Sequence, residues 1–245
     1  VAFGQGTQAW GDYAFAAGKM SKAQQSNAIA IGIASVASRS GSIAFGSSNS
    51  SQGLYSNSIG HVCTSTQDYS SAIGQNCVAS GVGSTAIGNM CSSSNDYAVA
   101  VGYNCSATNT YSSAFGYNAL ASGRWSVAIG DAAYSDGDRS VALGYSNNAT
   151  GSFSHAYGNN CKATQTNSLA IGNAATAANI GAFSIGNLTR TSGYMSTAMG
   201  NNTVSRASYC FALGRYNDSI SSSSTSSWVW TDPLFIIGNG TSEGT

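Results

Sequence analysis

The cysteines are the side chains of this sequence best suited to chemistry, and most of them share one spacing. Cys63, Cys77, Cys91 and Cys105 stand 14 residues apart, and Cys161 keeps the same register, whereas Cys210 does not. A column of stacked thiols has three interpretations: small buried fillers, disulfides between neighbours (Cys63–Cys77 and Cys91–Cys105), or a metal site. A straight column cannot wrap a tetrahedral ion, so we expect buried thiols or disulfides, with no metal and no cofactor. Cys161 and Cys210 are expected to be unpaired within the chain.

The other ionisable side chains do not form a catalytic set. Asp136 and Asp138 flank a turn glycine, where a plain turn role competes with a surface calcium site. His61 and His155 are too far apart in the sequence to share a site within one chain of this repeat. No nucleophile with a base and an orienting acid is visible, and no phosphate-binding loop is present. We therefore expect no enzyme activity.

The cysteine spacing is part of a repeat that runs through most of the chain. A glycine recurs every 14 residues without insertion or deletion. These glycines are Gly4, Gly18, Gly32, Gly46, Gly60, Gly74, Gly88, Gly102, Gly116, Gly130, Gly144, Gly158, Gly172, Gly186, Gly200 and Gly214. A fixed period of this kind is typical of a solenoid, in which each repeat forms one coil and occupies the same place as the previous one. Uniform faces with few pockets favour a structural or binding role over catalysis.

The residues around each glycine predict two short strands per coil. Ala usually stands two residues before the glycine, between larger apolar residues such as Val127 and Ile129. This alternation is typical of a β-strand with its small side chains facing inward. Small residues recur three and five positions after the glycine and predict a second strand. A turn follows with residues such as Gly81 and Gly123, which tolerate left-handed backbone angles. The expected fold class is an all-β solenoid.

The large apolar residues directly before the glycines are predicted to form a continuous outward stripe. A stripe of this size needs a second surface to cover it, and for identical chains a closed symmetric oligomer is the simplest arrangement. The interface candidates are Ile31, Ile73, Ile87, Phe115, Ile129, Leu143, Ile171 and Leu213.

Two aromatic columns add candidate contact surfaces. Tyr103, Tyr117 and Tyr145 directly follow repeat glycines, and we expect them to be exposed and to contact a partner. A longer column lies five residues before the glycine and includes Tyr97 and Trp125. It is interpreted either as a stacking platform for sugars or a protein, or as packing at the edge of a subunit interface.

The repeat resembles the YadA-like head of trimeric autotransporter adhesins. Residues 126–130 (SVAIG) and 140–144 (SVALG) match that family's repeat, and so does the small-residue stretch 119–123 (ALASG). The resemblance covers residues 1–218 and implies a left-handed parallel β-roll, with three copies around a threefold axis that the apolar stripes face. His155 replaces an apolar residue in an axis-facing slot, so three copies would converge. The three histidine side chains would then bind an ion or sense pH. The alternative interpretation is that His155 is a tolerated polar substitution.

The repeat stops near the end of the chain, because the glycine slot after Gly214 falls on Trp228. We expect a β-roll repeat domain over residues 1–218, a Ser-rich linker over 219–227, and a cap or the start of a following domain over 228–245. This last segment resembles the one that follows YadA-like repeats in tail-fibre-like chains.

Composition excludes some function classes and leaves three hypotheses. Only 7% of residues are charged and the net charge is zero, which provides no basic patch for a nucleic acid. No apolar run reaches the length that spans a membrane. The leading hypothesis is an extracellular adhesive rod on a cell or virion surface, a homotrimer whose partner is a host surface protein or glycan. A virus or phage tail-fibre segment and a self-assembling extracellular filament are the alternatives.

Overall fold

A computed structural model describes residues 1–217 and 223–241, and in those ranges the regular elements are all β-strands. Residue 218, residues 219–222 of the predicted linker and residues 242–245 of the predicted C-terminal segment lie outside the described residues. The chain divides into two compact units, Val1–Ser122 and Gly123–Thr245. Each unit is a parallel β-solenoid, which confirms the predicted all-β solenoid of 14-residue coils.

In the first unit most coils contribute one long strand and one short strand. The long strands are β1 (Ala2–Gln5), β3 (Phe15–Lys19), β5 (Ile29–Ile33), β7 (Ile43–Ser47), β9 (Asn57–His61), β11 (Ser71–Gln75), β13 (Thr85–Asn89), β15 (Val99–Tyr103) and β17 (Ser113–Tyr117). The short strands are β2 (Gln8–Ala9), β4 (Lys22–Ala23), β6 (Val36–Ala37), β8 (Ser50–Ser51), β10 (Thr64–Ser65), β12 (Val78–Ala79), β14 (Ser92–Ser93), β16 (Ser106–Ala107) and β18 (Leu120–Ala121). Long strands pair with long strands and short with short, so two separate parallel sheets form.

The second unit repeats this arrangement. Its long strands are β19 (Val127–Asp131), β21 (Val141–Tyr145), β23 (His155–Asn159), β25 (Leu169–Asn173), β27 (Phe183–Asn187), β29 (Thr197–Asn201), β31 (Phe211–Arg215) and β32 (Phe235–Asn239). Its short strands are β20 (Tyr134–Ser135), β22 (Asn148–Ala149), β24 (Lys162–Ala163), β26 (Thr176–Ala177), β28 (Arg190–Thr191) and β30 (Val204–Ser205).

The register between coils turns each sequence slot into a column. Gly74 pairs with Gly88 in the first unit, and Gly130 pairs with Gly144 in the second, so each residue lies beside the one 14 positions later. The repeat glycines from Gly4 to Gly214 have φ between 109° and 132°, a conformation that residues with a side chain rarely adopt. The invariant glycine is therefore a backbone requirement of the coil.

The interior of each unit is filled by small side chains. Ala86 and Ala100 in the first unit and Ala142 and Ala156 in the second are fully buried, together with serines and cysteines of the same coils. The largest fully buried side chains of the described residues are asparagines, Asn49 and Asn147. Such an interior buries little apolar area per residue, since the hydrophobic contribution scales with the apolar surface removed from water. The large apolar side chains lie on the outside of the coil.

The residues that adopt left-handed backbone angles in the turns are not the turn glycines named in the sequence analysis. Gly81 and Gly123 do not adopt a left-handed φ. Two residues later, Gly83 does, with a φ of 62°, and so does Trp125, with a φ of 55°. A Cβ atom on Gly123 would lie 2.1 Å from the carbonyl oxygen of Gly137 in the next coil, so glycine is used there for close stacking. The turn lies where the sequence placed it, and its left-handed residue comes two positions after the glycine.

The last described strand continues the long-strand sheet of the second unit after an interruption of the period. Gly214 pairs with Gly238, and the rings of Phe211 and Phe235 stack with centroids 5.8 Å apart. The described part of the predicted linker packs on the same unit, because the Thr225 carbonyl accepts a hydrogen bond from the Tyr194 amide at 2.9 Å. Residues 235–239 therefore occupy the repeat slots that the sequence period alone did not assign to them.

Candidate functional site: the outward columns of the coils

All eight predicted interface residues lie in long strands, directly before the repeat glycine. The residues that precede them, such as Ala128 before Ile129 and Ala212 before Leu213, are fully buried. Because successive side chains of a strand point to opposite faces, the interface candidates face away from the coil interior. Ile129 and Leu213 are each 41% exposed, and the remaining six are half-buried against neighbours in their column. Within each unit the apolar column of these residues is only partly covered.

The outward face of the short-strand sheet has a different composition. In the short strands from β4 to β30 the second residue is buried, as at Ala79 and Ala163, so the first residue points outward. These outward residues are mostly polar and include Lys22, Ser50, Thr64, Ser92, Ser106, Asn148, Lys162, Thr176 and Arg190. The contrast between the two faces identifies the long-strand face as the candidate for contact with another apolar surface.

The predicted partner-contact tyrosines are exposed. Tyr103 and Tyr117 stack in the first unit with ring centroids 5.0 Å apart and an angle of 7° between the rings. Both are at least 41% exposed, and Tyr145 in the second unit is 53% exposed. The second aromatic column also stacks, since the rings of Tyr97 and Tyr111 lie 5.2 Å apart. Stacking fixes these rings along the outside of the coils, and their role in binding remains a prediction.

The four cysteines at 14-residue spacing do lie in consecutive coils, as buried free thiols. Their sulfur atoms donate hydrogen bonds to the carbonyl oxygen of the glycine in the following coil, as from Cys63 to Gly74 and from Cys77 to Gly88, both at 3.2 Å. Cys161 and Cys210 are also buried free thiols. The choice between thiols and disulfides for the pairs Cys63–Cys77 and Cys91–Cys105 remains a prediction.

Burial governs the acidity of most of these thiols. It raises the pKa of Cys91, Cys105, Cys161 and Cys210, because an apolar environment disfavours a thiolate. A hydrogen bond with Cys77 lowers the pKa of Cys63 to about 6, and the same pairing raises the pKa of Cys77. Most of the cysteines are therefore protonated near neutral pH and can act as hydrogen-bond donors.

The cysteine column belongs to a hydrogen-bonding slot that the sequence analysis treated as a small filler position. Ser21 donates to the Gly32 carbonyl at 2.9 Å, and Ser35 donates to the Gly46 carbonyl at 3.1 Å, from the position that cysteine occupies in other coils. Asn49 fills the slot with both ends of its amide: Nδ2 donates to the carbonyls of Phe45 and Gly60 at 2.8 Å. Its Oδ1 accepts from the Cys63 amide at 2.9 Å. The recurrence of Ser, Cys and Asn at one slot was the sequence signal for this role.

The remaining polar candidates do not form a catalytic or metal site within one chain. His155 Nδ1 lies 3.0 Å from the Tyr157 hydroxyl, while His61 is an exposed residue of the other unit. Asp138 forms an ion pair with Arg124 at 3.0 Å, on the solvent side of a turn. Among the described residues of the chain, no three His, Cys, Asp or Glu side chains come together in a way that would hold a metal ion. No helix in the described ranges is long and apolar enough to cross a membrane.

Together these features define a class of protein: a repeat protein built from parallel β-coils, with a small-residue interior and an apolar outward column. The family model of the YadA head domain repeat matches residues 1–19, 23–49, 79–104, 107–133, 135–160 and 163–189. These segments cover more than half of the chain, which therefore belongs to the YadA head domain family, as the resemblance of the repeats indicated. This is a family of structural adhesins that form trimers and bind host surfaces. No curated protein matches the chain.

Proposed function

We propose that this chain is a non-enzymatic extracellular adhesin head, which acts as a homotrimer and attaches to a host surface protein or glycan. The observation that supports this proposal is the difference between the two outward faces of the coils. The long-strand face carries a column of Ile, Leu, Val and Phe, and the short-strand face is mostly polar. An apolar column of this kind is typical of a surface that another chain covers.

Burial energies support the homotrimer. Fully burying one large aliphatic side chain contributes about 1.5–3 kcal/mol relative to leaving it exposed. Most coils offer one large apolar side chain in the column, so the contribution grows with the number of coils that meet a partner. An alanine and serine interior provides little of this stabilisation to a single chain. Three copies that share their apolar columns would supply what the narrow interior lacks.

The exposed tyrosines supply the proposed contact with the host. Tyr103, Tyr117 and Tyr145 combine an aromatic face with a hydroxyl group, a combination that is enriched in binding surfaces. A trimer presents each of them three times, so weak individual contacts add up through avidity.

Adhesion of coated beads under flow tests this function. Beads that carry the wild-type chain should be retained on at least one of a panel of immobilised extracellular matrix proteins and glycans. Combined substitution of Tyr103, Tyr117 and Tyr145 by Ser should reduce retention several-fold. Tyr134→Ser is the matched control, since Tyr134 lies on the short-strand face outside these columns. Retention of wild-type beads no better than that of bare beads on every surface would contradict the proposal.

A further inference from the structure

In one coil of the second unit, polar residues occupy both outward columns of the long-strand face, one residue and three residues before the repeat glycine. Tyr157 stands directly before the repeat glycine, between Leu143 and Ile171 of the neighbouring coils. His155 stands two residues earlier, between Val141 and Leu169. The two polar residues are thus flanked by apolar residues in both columns, on the face that the proposed homotrimer covers.

The two side chains are hydrogen-bonded to each other. The Tyr157 hydroxyl oxygen lies 3.0 Å from His155 Nδ1, and the two rings are 5.8 Å apart. Both residues are half-buried already in the single chain. When Nδ1 carries the ring proton and donates it to the tyrosine oxygen, the lone pair is on Nε2. In that tautomer the Tyr157 contact orients the ring and leaves Nε2 able to bind a ligand.

We propose that, in the homotrimer, three His155 side chains bind one divalent transition-metal ion of the zinc class through Nε2, with Tyr157 as the positioning residue. The inference rests on the proposed homotrimer, because one chain supplies a single histidine to the site. Three histidines with a fourth position open to water or a small anion are an established zinc geometry. A hydrogen bond from the other ring nitrogen to an outer partner is the usual way to orient such a ligand.

The surroundings of His155 favour a neutral imidazole. Burial lowers the pKa of His155, so the ring is unprotonated and able to bind a metal ion near neutral pH. Val141 and Leu169 on the adjacent strands carry no charge, and Tyr157 is the titratable side chain in contact. A polar imidazole buried in an apolar interface is destabilising unless it gains a partner, and a shared ion would satisfy all three copies.

Equilibrium dialysis of the full chain against Zn(II), with the mass measured on the same sample by light scattering, tests the inference. Wild type should bind one zinc ion per three chains. His155→Leu should bind none, and it should still fold because the adjacent coil carries Leu169 in the same slot. Tyr157→Phe should weaken binding about 10–100-fold, the usual effect of removing an outer hydrogen-bond partner. His61→Asn is the matched control and should bind zinc like wild type.

Co(II) separates histidine ligation from binding to the thiols. The expected spectrum has the visible bands of a tetrahedral ion without a thiolate charge-transfer band. A trimer that binds no zinc, or His155→Leu that still binds one ion per trimer, would overturn the metal site and leave the homotrimer intact. A monomer that binds no zinc would overturn both proposals.

Discussion

Gly186 and Gly200 are paired neighbours in the stacked coils, and a Cβ atom on Gly186 would lie 1.9 Å from the Gly200 carbonyl oxygen. Gly186 also has a φ of 130°, which disfavours any residue with a side chain. Two independent constraints therefore require glycine at this slot: the backbone angle and the distance between coils.

Substitution of the repeat glycine should be severely destabilising. Gly186→Ala should lower the free energy of unfolding by at least about 2 kcal/mol, because backbone strain alone costs about 1–3 kcal/mol and the next coil must also move. Gly181→Asn is the matched control in the same coil. Gly181 has a φ of 61°, and Asn167 adopts 57° at the same slot of the preceding coil. Denaturant unfolding should show a change within about 1 kcal/mol for the control. Equal losses in the two variants would contradict the close-stacking account.

The buried asparagines should stabilise the coils through their hydrogen bonds. Asn147 Nδ2 donates to the Gly158 carbonyl at 2.7 Å, and its Oδ1 accepts from the Cys161 amide at 2.8 Å. Asn147→Ala leaves that buried amide without its partner, so the unfolding free energy should fall by about 1–3 kcal/mol. Asn148→Ala, at the outward position of the short strand β22 that begins directly after Asn147, should change little. A loss as large for Asn148 as for Asn147 would show that the buried contacts do not carry the effect.

The cysteines are expected to remain thiols. The protonated sulfurs of Cys91 and Cys105 donate to glycine carbonyls, and a disulfide would remove these donors. Maleimide labelling in denaturant without reductant, read by mass spectrometry, should therefore give six adducts, one for each free cysteine. Labelling of the native protein should be slow, since the thiols are buried. If the thiols of Cys63, Cys77, Cys91 and Cys105 react only after reduction, the neighbouring pairs are disulfides and this expectation is wrong.

Stability should fall in acid because of His155. Burial lowers its pKa in the folded chain below the ordinary value of 6.5, so the unfolded chain binds more protons between the two values. Stability is then complete above about pH 6.5 and decreases as the pH falls toward the lowered pKa. Unfolding in the presence of a chelator should show this slope, and His155→Leu should reduce it while His61→Asn should not. An unchanged slope in His155→Leu would assign the acid sensitivity to other groups.

The columns were predictable from the sequence because the period carries the register. Once a glycine recurs every 14 residues, the outward position of Ile129 and the stacking of Tyr103 on Tyr117 follow from strand alternation and in-register pairing. The same logic placed Cys63 and Cys77 in one column. The period predicts which residues are neighbours in adjacent coils, and in the regular 14-residue coils these neighbours agree with the observed pairing.

Other features depend on distances and angles that periodicity does not contain. The left-handed conformation of Trp125 could not be read from its residue type, because aromatic residues rarely adopt it. The donor role of Cys63 depends on a carbonyl in the following coil. The pairing of Gly238 with Gly214 follows an interruption that broke the period, although the sequence at 235–239 keeps the large residue and glycine of the repeat.

Substitutions should distinguish the long-strand face, which the proposed homotrimer covers, from the short-strand face, which it leaves free. Ile129→Asp introduces a charge into the apolar column, whereas Val78→Asp introduces one on the short-strand face at a residue of similar exposure, 37% against 41%. Neither side chain lies in the coil interior, so both variants should fold. Ile129→Asp should dissociate the oligomer, and Val78→Asp should leave it intact. Dissociation by both variants, or by neither, would contradict the assignment of the interface to the long-strand face.

The absolute mass of the wild-type chain in solution, measured by light scattering under native conditions, tests the central claim most directly. The account predicts three times the 24.8 kDa mass of the chain, and it predicts that reductant leaves this mass unchanged because the cysteines are expected to be buried thiols. A monomeric mass would contradict it, since the apolar column of Ile129 and its neighbours would then be exposed to water without a partner.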